Sequence, residues 1–200
     1  MPESGVLILP SQAHKAPSRP GIYRLLVRLP SNYELGLELD EPSLENALKL
    51  IKLKVYRIAR AINQRVLVGK LGEEKSHHLR REYRLQAESL THQWTATLVE
   101  EVLEHTDTID SLRENLSVLR DAFDGLPPVY IGISSERTLY ERLQEHLDGM
   151  TGVSERMNMF GVGWSDIRFS YNTVDFVSRN DARRLERLVQ SIFQPALSSR

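Results

Sequence analysis

Over residues 43–124 the apolar side chains fall at helical spacing, while the segments on either side alternate as strands do. From Leu44 the apolar positions run Leu44, Leu48, Ile51, Val55, Ile58 and Ile62, in steps of four and three. That is the seam of a helix that packs along its length. Pro42 and Ser43 start it, and Gly69 and Gly72 mark its end. A second helix runs from about Glu73 to His105 with a less regular stripe that includes Leu79, Tyr83, Leu90, Trp94 and Val102. A third carries Ile109, Leu112, Leu116, Leu119 and Phe123. Short connections make such helices antiparallel neighbours. Residues 31–126 therefore read as a helical bundle, or as a coiled-coil unit whose seams pair with a second copy of the chain.

The flanks predict a sheet. Gly21–Leu29, bounded by Pro20 and Pro30, is rich in β-branched and bulky residues. Val129–Ile133 and Ile167–Tyr171 read as further strands, and Arg137–Asp148 and Asn180–Phe193 as helices, the last stopped by Pro195. Gly152–Trp164 reads as a loop. Residues 1–20, with Pro2, Pro10, Pro17 and Pro20, read as a loosely structured arm with one short strand at Val6–Leu9. The expected fold class is α+β: a small mixed or antiparallel three-stranded sheet flanked by helices, with an inserted helical unit. The expected division is 1–20 as an arm, 21–30 with 127–200 as one domain, and 31–126 as the insert.

The formal net charge of -1 gives no bulk cationic surface, so any nucleic-acid binding has to come from local patches. Such a patch exists. Between Lys49 and Arg84 there are eleven Lys or Arg against three Glu, and from Gln86 to Leu126 two Arg against nine acids. The basic stretch, with Arg57, Arg60 and Arg65, is either a phosphate-contacting surface or a solvated face paired with the acidic half. The absence of cysteine excludes disulfides and thiolate metal sites and fits a reducing cytoplasm. Val6–Leu9 is too short for a signal-peptide core, and no apolar run reaches the roughly 20 residues of a membrane helix. The expectation is a cytoplasmic protein with no membrane partner.

Gly21-Ile22-Tyr23, followed later by Tyr130-Ile131-Gly132, resembles the two signature tripeptides of the GIY-YIG nuclease superfamily. In that family the tripeptides sit on adjacent antiparallel strands. Leu139, Arg142 and His146 fit its first-helix pattern. Ala182–Leu188 looks like the helix that presents its metal-binding glutamate, here Glu186, and Phe193-Gln194-Pro195 matches the segment that follows. The resemblance covers residues 20–30 and 127–198, under half of the chain. Two departures stand out. The family joins its tripeptides by a short turn, whereas residues 31–126 intervene here, an interruption that loop-closure entropy tolerates because it grows only logarithmically with length. Where the family often carries asparagine after the final proline, this chain has Ser198.

The resemblance implies a divalent-metal-dependent DNA endonuclease with Tyr23, Tyr130, Arg142, His146 and Glu186 as its site, Mg²⁺ held by Glu186 with Mn²⁺ able to substitute, and duplex DNA as substrate. The residue types suit that chemistry. Phosphodiester hydrolysis needs an activated water and compensation of extra negative charge. A carboxylate can hold one hard cation that keeps several waters. A guanidinium grips phosphate oxygens through a bidentate fork. Arg142 and His146, four apart on a helix, share a face. A phenol titrates near pH 10 and is a poor base unless nearby cations favour the phenolate. Cutting both strands with one site per chain calls for a homodimer, which the helical insert can supply. The competing reading is a catalytically silent scaffold that binds nucleic acid or protein through its insert. His77, His78, His92 and His105 lack paired carboxylate spacing and read as surface or seam residues, Trp94 as core or interface. Gly161-Val162-Gly163-Trp164 lacks the lysine and following helix of a nucleotide loop.

Overall fold

The computed structural model describes residues 6–70, 99, 101–126, 128–159, 161–176, 178–193 and 197, with side chains except at 60–70 and 191–193. In chain order the elements are β1 (Val6–Ile8), a 3-10 turn (Pro10–Lys15), β2 (Gly21–Val27), α1 (Leu44–Lys70), α2 (Ile109–Asp124), β3 (Tyr130–Ser134), α3 (Leu139–Leu147), α4 (Val153–Met159), β4 (Ile167–Thr173) and α5 (Arg179–Phe193). They divide into two compact units, Met1–Val27 with Leu126–Arg200, and Arg28–Gly125. The fold class is mixed α+β. No helix among the described residues is long and apolar enough to cross a membrane.

The first unit is built on an open, four-stranded, wholly antiparallel sheet in the order β1-β4-β2-β3. The expected sheet had three strands. The fourth is β1, which pairs Val6 with Tyr171 and Ile8 with Phe169 on the outer edge of β4. The arm is correspondingly not loose. Ala13 and Ala16 are buried. The Pro17 and Arg19 carbonyls accept from the Tyr140 and Leu139 N–H groups, at 3.3 and 2.8 Å. Those are the orphan donors of the first turn of α3. Prolines in the arm fix an extended backbone and leave its carbonyls free to accept.

Alternation along β2 puts Tyr23, Leu25 and Val27 on the buried face, beside Phe169 and Tyr171 of β4. α3 adds Leu139 and Leu143 to the core. Its start is a reciprocal cap: Thr138 Oγ1 accepts from the Glu141 N–H, and the Glu141 carboxylate accepts from the Thr138 N–H. Gly152–Trp164, expected as a loop, contains α4. Val153 and Met157 are both fully buried and sit four apart, on one helical face. A single pair of this kind sets no visible period in sequence. Fully burying such side chains contributes about 1.5–3 kcal/mol each, enough to hold a two-turn helix that would not persist alone.

In the second unit the seam residues are buried as their spacing predicts: Ile51, Val55 and Ile58 of α1, and Leu112, Leu116, Leu119 and Phe123 of α2. Thr108 caps α2, its hydroxyl accepting from the Ser111 N–H. Arg113 and Arg120 donate to the Leu37 and Pro30 carbonyls, each at 2.7 Å, and tie the segment before α1 to α2. Residues 99 and 101–104 are helical. The rest of the expected second helix, with His77, His78, His92 and Trp94, lies outside the described residues. His105 is exposed.

Candidate active site

The register of β2 on β3 pairs Tyr23 with Gly132 and Leu25 with Tyr130. Tyr23 and Tyr130 are therefore diagonal neighbours on one face, their ring centroids 6.0 Å apart. Both motif glycines have a steric reason. A Cβ on Gly132 would lie 2.3 Å from Tyr23 Oη, because the Tyr23 ring crosses directly over that position. A Cβ on Gly21 would lie 2.3 Å from the Asn172 carbonyl oxygen and 2.7 Å from Leu139, where β4 and α3 close on β2.

α3 brings His146 onto the same tyrosines. Tyr23 Oη and His146 Nε2 are hydrogen-bonded at 2.6 Å, and the imidazole stands edge-on to Tyr130 at 5.6 Å. The other ring nitrogen, Nδ1, is 2.5 Å from Thr151 Oγ1. Tyr23 and His146 are both fully buried, with no exposed surface. Burial, then Arg142 and Arg156, push His146 down to about 3, so the ring is neutral at physiological pH. Burial, then the neighbouring Tyr130 phenol, raise Tyr23 well above the usual phenol value, although Arg142 pulls the other way. At rest the pair is uncharged.

Arg142, one turn before His146, is half-buried, and its charge acts on Tyr23, Tyr130 and Glu186. Its Nη1 also donates to Glu145 Oε2 at 2.8 Å, and Arg137 pairs with the other oxygen of that carboxylate. Glu186 comes from α5, which packs along β3. It is half-buried, and burial raises its carboxyl above the ordinary value while the Ile133 N–H and Arg142 oppose that rise. Gln190, one turn on, donates to the Ile131 carbonyl and to Glu186 Oε1, both at 3.3 Å. These side chains cap the outer edge of β3, which no further strand covers among the described residues. On α5 Ala182 is buried, Leu185 and Val189 are half-buried, and Leu188 is exposed. Arg183, Arg184 and Arg187 are exposed.

All five expected residues thus belong to the first unit. Tyr23, Tyr130 and His146 touch, Arg142 acts on both phenols, and Glu186 is linked to them through Arg142. Thr151, Arg156 and Gln190 were not expected. Each depends on closeness across elements, for which no local spacing exists. Among the described residues no three His, Asp or Glu side chains cluster as ligands for one ion. Arg57 is half-buried on α1, while the side chains of Arg60 and Arg65, like Ser198, lie outside the described residues. Comparison of the chain with protein-family models, with curated proteins and with solved structures finds no match.

Proposed function

We propose that the chain is a divalent-metal-dependent DNA endonuclease of the GIY-YIG kind, its nuclease domain interrupted by a helical insert. The observation that carries this reading is the joining of Tyr23 and Tyr130 with His146 at a hydrogen-bonded, buried contact, with Arg142 acting on both phenols. Ordinary sheet tyrosines have no need of an imidazole held at both nitrogens.

The residues present fit a hard cation such as Mg²⁺ through one carboxylate. Glu186 is half-buried and its charged form is penalised by burial, a penalty that a bound cation removes. A single carboxylate suits an ion that keeps most of its waters and shares phosphate oxygens. When bound, that ion would supply Lewis-acid charge at the phosphate. The chain's own groups do the rest. Arg142 binds the non-bridging oxygens and offsets their growing charge. Attack by water forms one P–O bond and releases a proton. The bond to the leaving oxygen breaks as the new one forms, and the water's proton ends on that leaving oxygen; the buried, neutral Tyr23–His146 pair holds the two tyrosines in place beside Arg142. Thr151 fixes the imidazole in that pair.

One observation favours the scaffold reading: Tyr23 and His146 have no exposed surface, as purely structural residues would. Incubating the protein with supercoiled plasmid and Mg²⁺ or Mn²⁺, beside Glu186→Gln, separates the two. Nicking that disappears in the variant is expected. Nicking by neither protein with either metal would leave the scaffold. The glutamine variant should melt no lower than the parent without metal, because it removes a carboxylate whose charged form burial disfavours.

A further inference from the structure

Arg156 plays no part in the reading above, yet it is built into the same site. On α4 it lies one turn after the fully buried Val153 and next to the fully buried Met157, and it is itself half-buried. Its Nε is buried and has no hydrogen-bond partner among the described residues. A buried guanidinium nitrogen left unpaired costs free energy that an incoming anion would recover. The start of α4 is fastened to His146 on two sides. Ser154 Oγ donates to the His146 carbonyl at 3.1 Å, and Thr151 Oγ1 meets Nδ1. At the far end of α4, the Val162 N–H donates to the Met157 carbonyl at 3.1 Å. Arg156 therefore sits on a short, pinned helix that is fastened to His146.

We infer that Arg156 is a second phosphate-binding side chain of the site, positioning a backbone phosphate of the bound strand on the His146 side while Arg142 holds the reacting one. The inference rests on the nuclease reading for its ligand, a nucleic-acid phosphate. Arg156 Nη1 lies 4.0 Å from where a Cβ on Gly152 would stand, next to Thr151, whose hydroxyl meets His146 Nδ1.

The test uses the full chain, a short DNA duplex and Ca²⁺ in place of Mg²⁺, with binding followed by fluorescence anisotropy over a salt series. Arg156→Ala should weaken binding about 10-fold and lower the salt slope by about one counterion. Arg156→Lys should keep the slope and lose part of the affinity, because it retains charge without the fork. In Mg²⁺, cleavage by Arg156→Ala should fall about 100-fold. Parent-like affinity and slope in Arg156→Ala would overturn the inference and make Arg156 a packing residue. If alanine lowers the melting temperature, the lysine variant decides: a slope reduced as in alanine also overturns it. A parent that binds duplex but cuts nothing sinks the nuclease reading and leaves the binding comparison to judge Arg156. A parent that does not bind duplex overturns both.

Discussion

Gly132 is the residue whose role the structure makes most concrete. A β-carbon there would occupy the space of the Tyr23 phenol. Gly132→Ala should therefore displace Tyr23 from His146, destabilise the protein by about 1–3 kcal/mol as overpacking does, and reduce cleavage at least about 10-fold. Thermal melting together with a plasmid assay checks it; wild-type rate at unchanged stability would mean that the tyrosine has room to move. His146 yields a pH signature. Its folded value of about 3 lies below its ordinary 6.5, so between those values the unfolded chain binds the extra proton. Its contribution to stability is full above pH 6.5, is lost as pH falls toward 3, and amounts to the order of a few kcal/mol. His146→Gln should flatten that part of the stability curve in urea titrations run across this range. An unchanged slope would show that the imidazole is charged in the folded state. The grouping of Tyr23, Tyr130, Arg142 and His146 was foreshadowed by two tripeptides and one helical spacing, and the placing of Glu186 near Arg142 by the resemblance of its helix. Thr151, Arg156 and Gln190 were not, because each acts through a contact between segments that sequence spacing does not relate.

Elements separate in the same way. β2, β3, β4, α3 and α5 were legible to within a residue or two, since alternation or helical period runs through their whole length. α4 was hidden because seven residues hold only one buried i,i+4 pair, and glycines surround it. β1 was legible as the short strand at Val6–Leu9, though not its place in the sheet, while the 3-10 turn was obscured by prolines, which look like loop from sequence although the Pro17 carbonyl here accepts from α3. In α1 the seam was legible, but the purpose of its opposite face was not. Lys49 and Lys52 are exposed and Arg57 is half-buried on that helix. If the face contacts phosphates, reversing Arg57, Arg60 and Arg65 to glutamate should weaken duplex binding and flatten its salt dependence while the helix content stays constant. Binding and cutting like the parent would mark a solvated face, whose charge pairs worth ~1 kcal/mol or less have no bearing on DNA.

For the whole molecule, the sequence marked where the chain changes character, and the chain passes from one compact unit to the other after Val27 and back before Leu126. What it left open was whether the seams are satisfied within one chain. Among the described seam residues, Ile51, Val55, Ile58, Leu112, Leu116, Leu119 and Phe123 are buried in the single chain and Leu44, Leu48 and Ile109 are half-buried, while Leu53 and Val118 on the same helices are exposed. If duplex cleavage uses two sites, sedimentation should show a dimer that forms on DNA or at micromolar concentration. A monomer that makes double-strand breaks in a single encounter would refute that.

The long separation between β2 and β3 also has a consequence in time. Leu25 must find Tyr130, and no hairpin turn guides them together. During synthesis β2 leaves the ribosome on the order of 10 s before its first partner strand exists, at typical elongation rates. Through that interval its backbone donors and acceptors face water, and its apolar face has nothing to pack on. The intervening helices need only local contacts, which form in microseconds. The nascent chain therefore passes through a state in which the inserted unit is complete and the site-bearing unit is not, and the tyrosine–imidazole contact is assembled only after most of the polypeptide has been made.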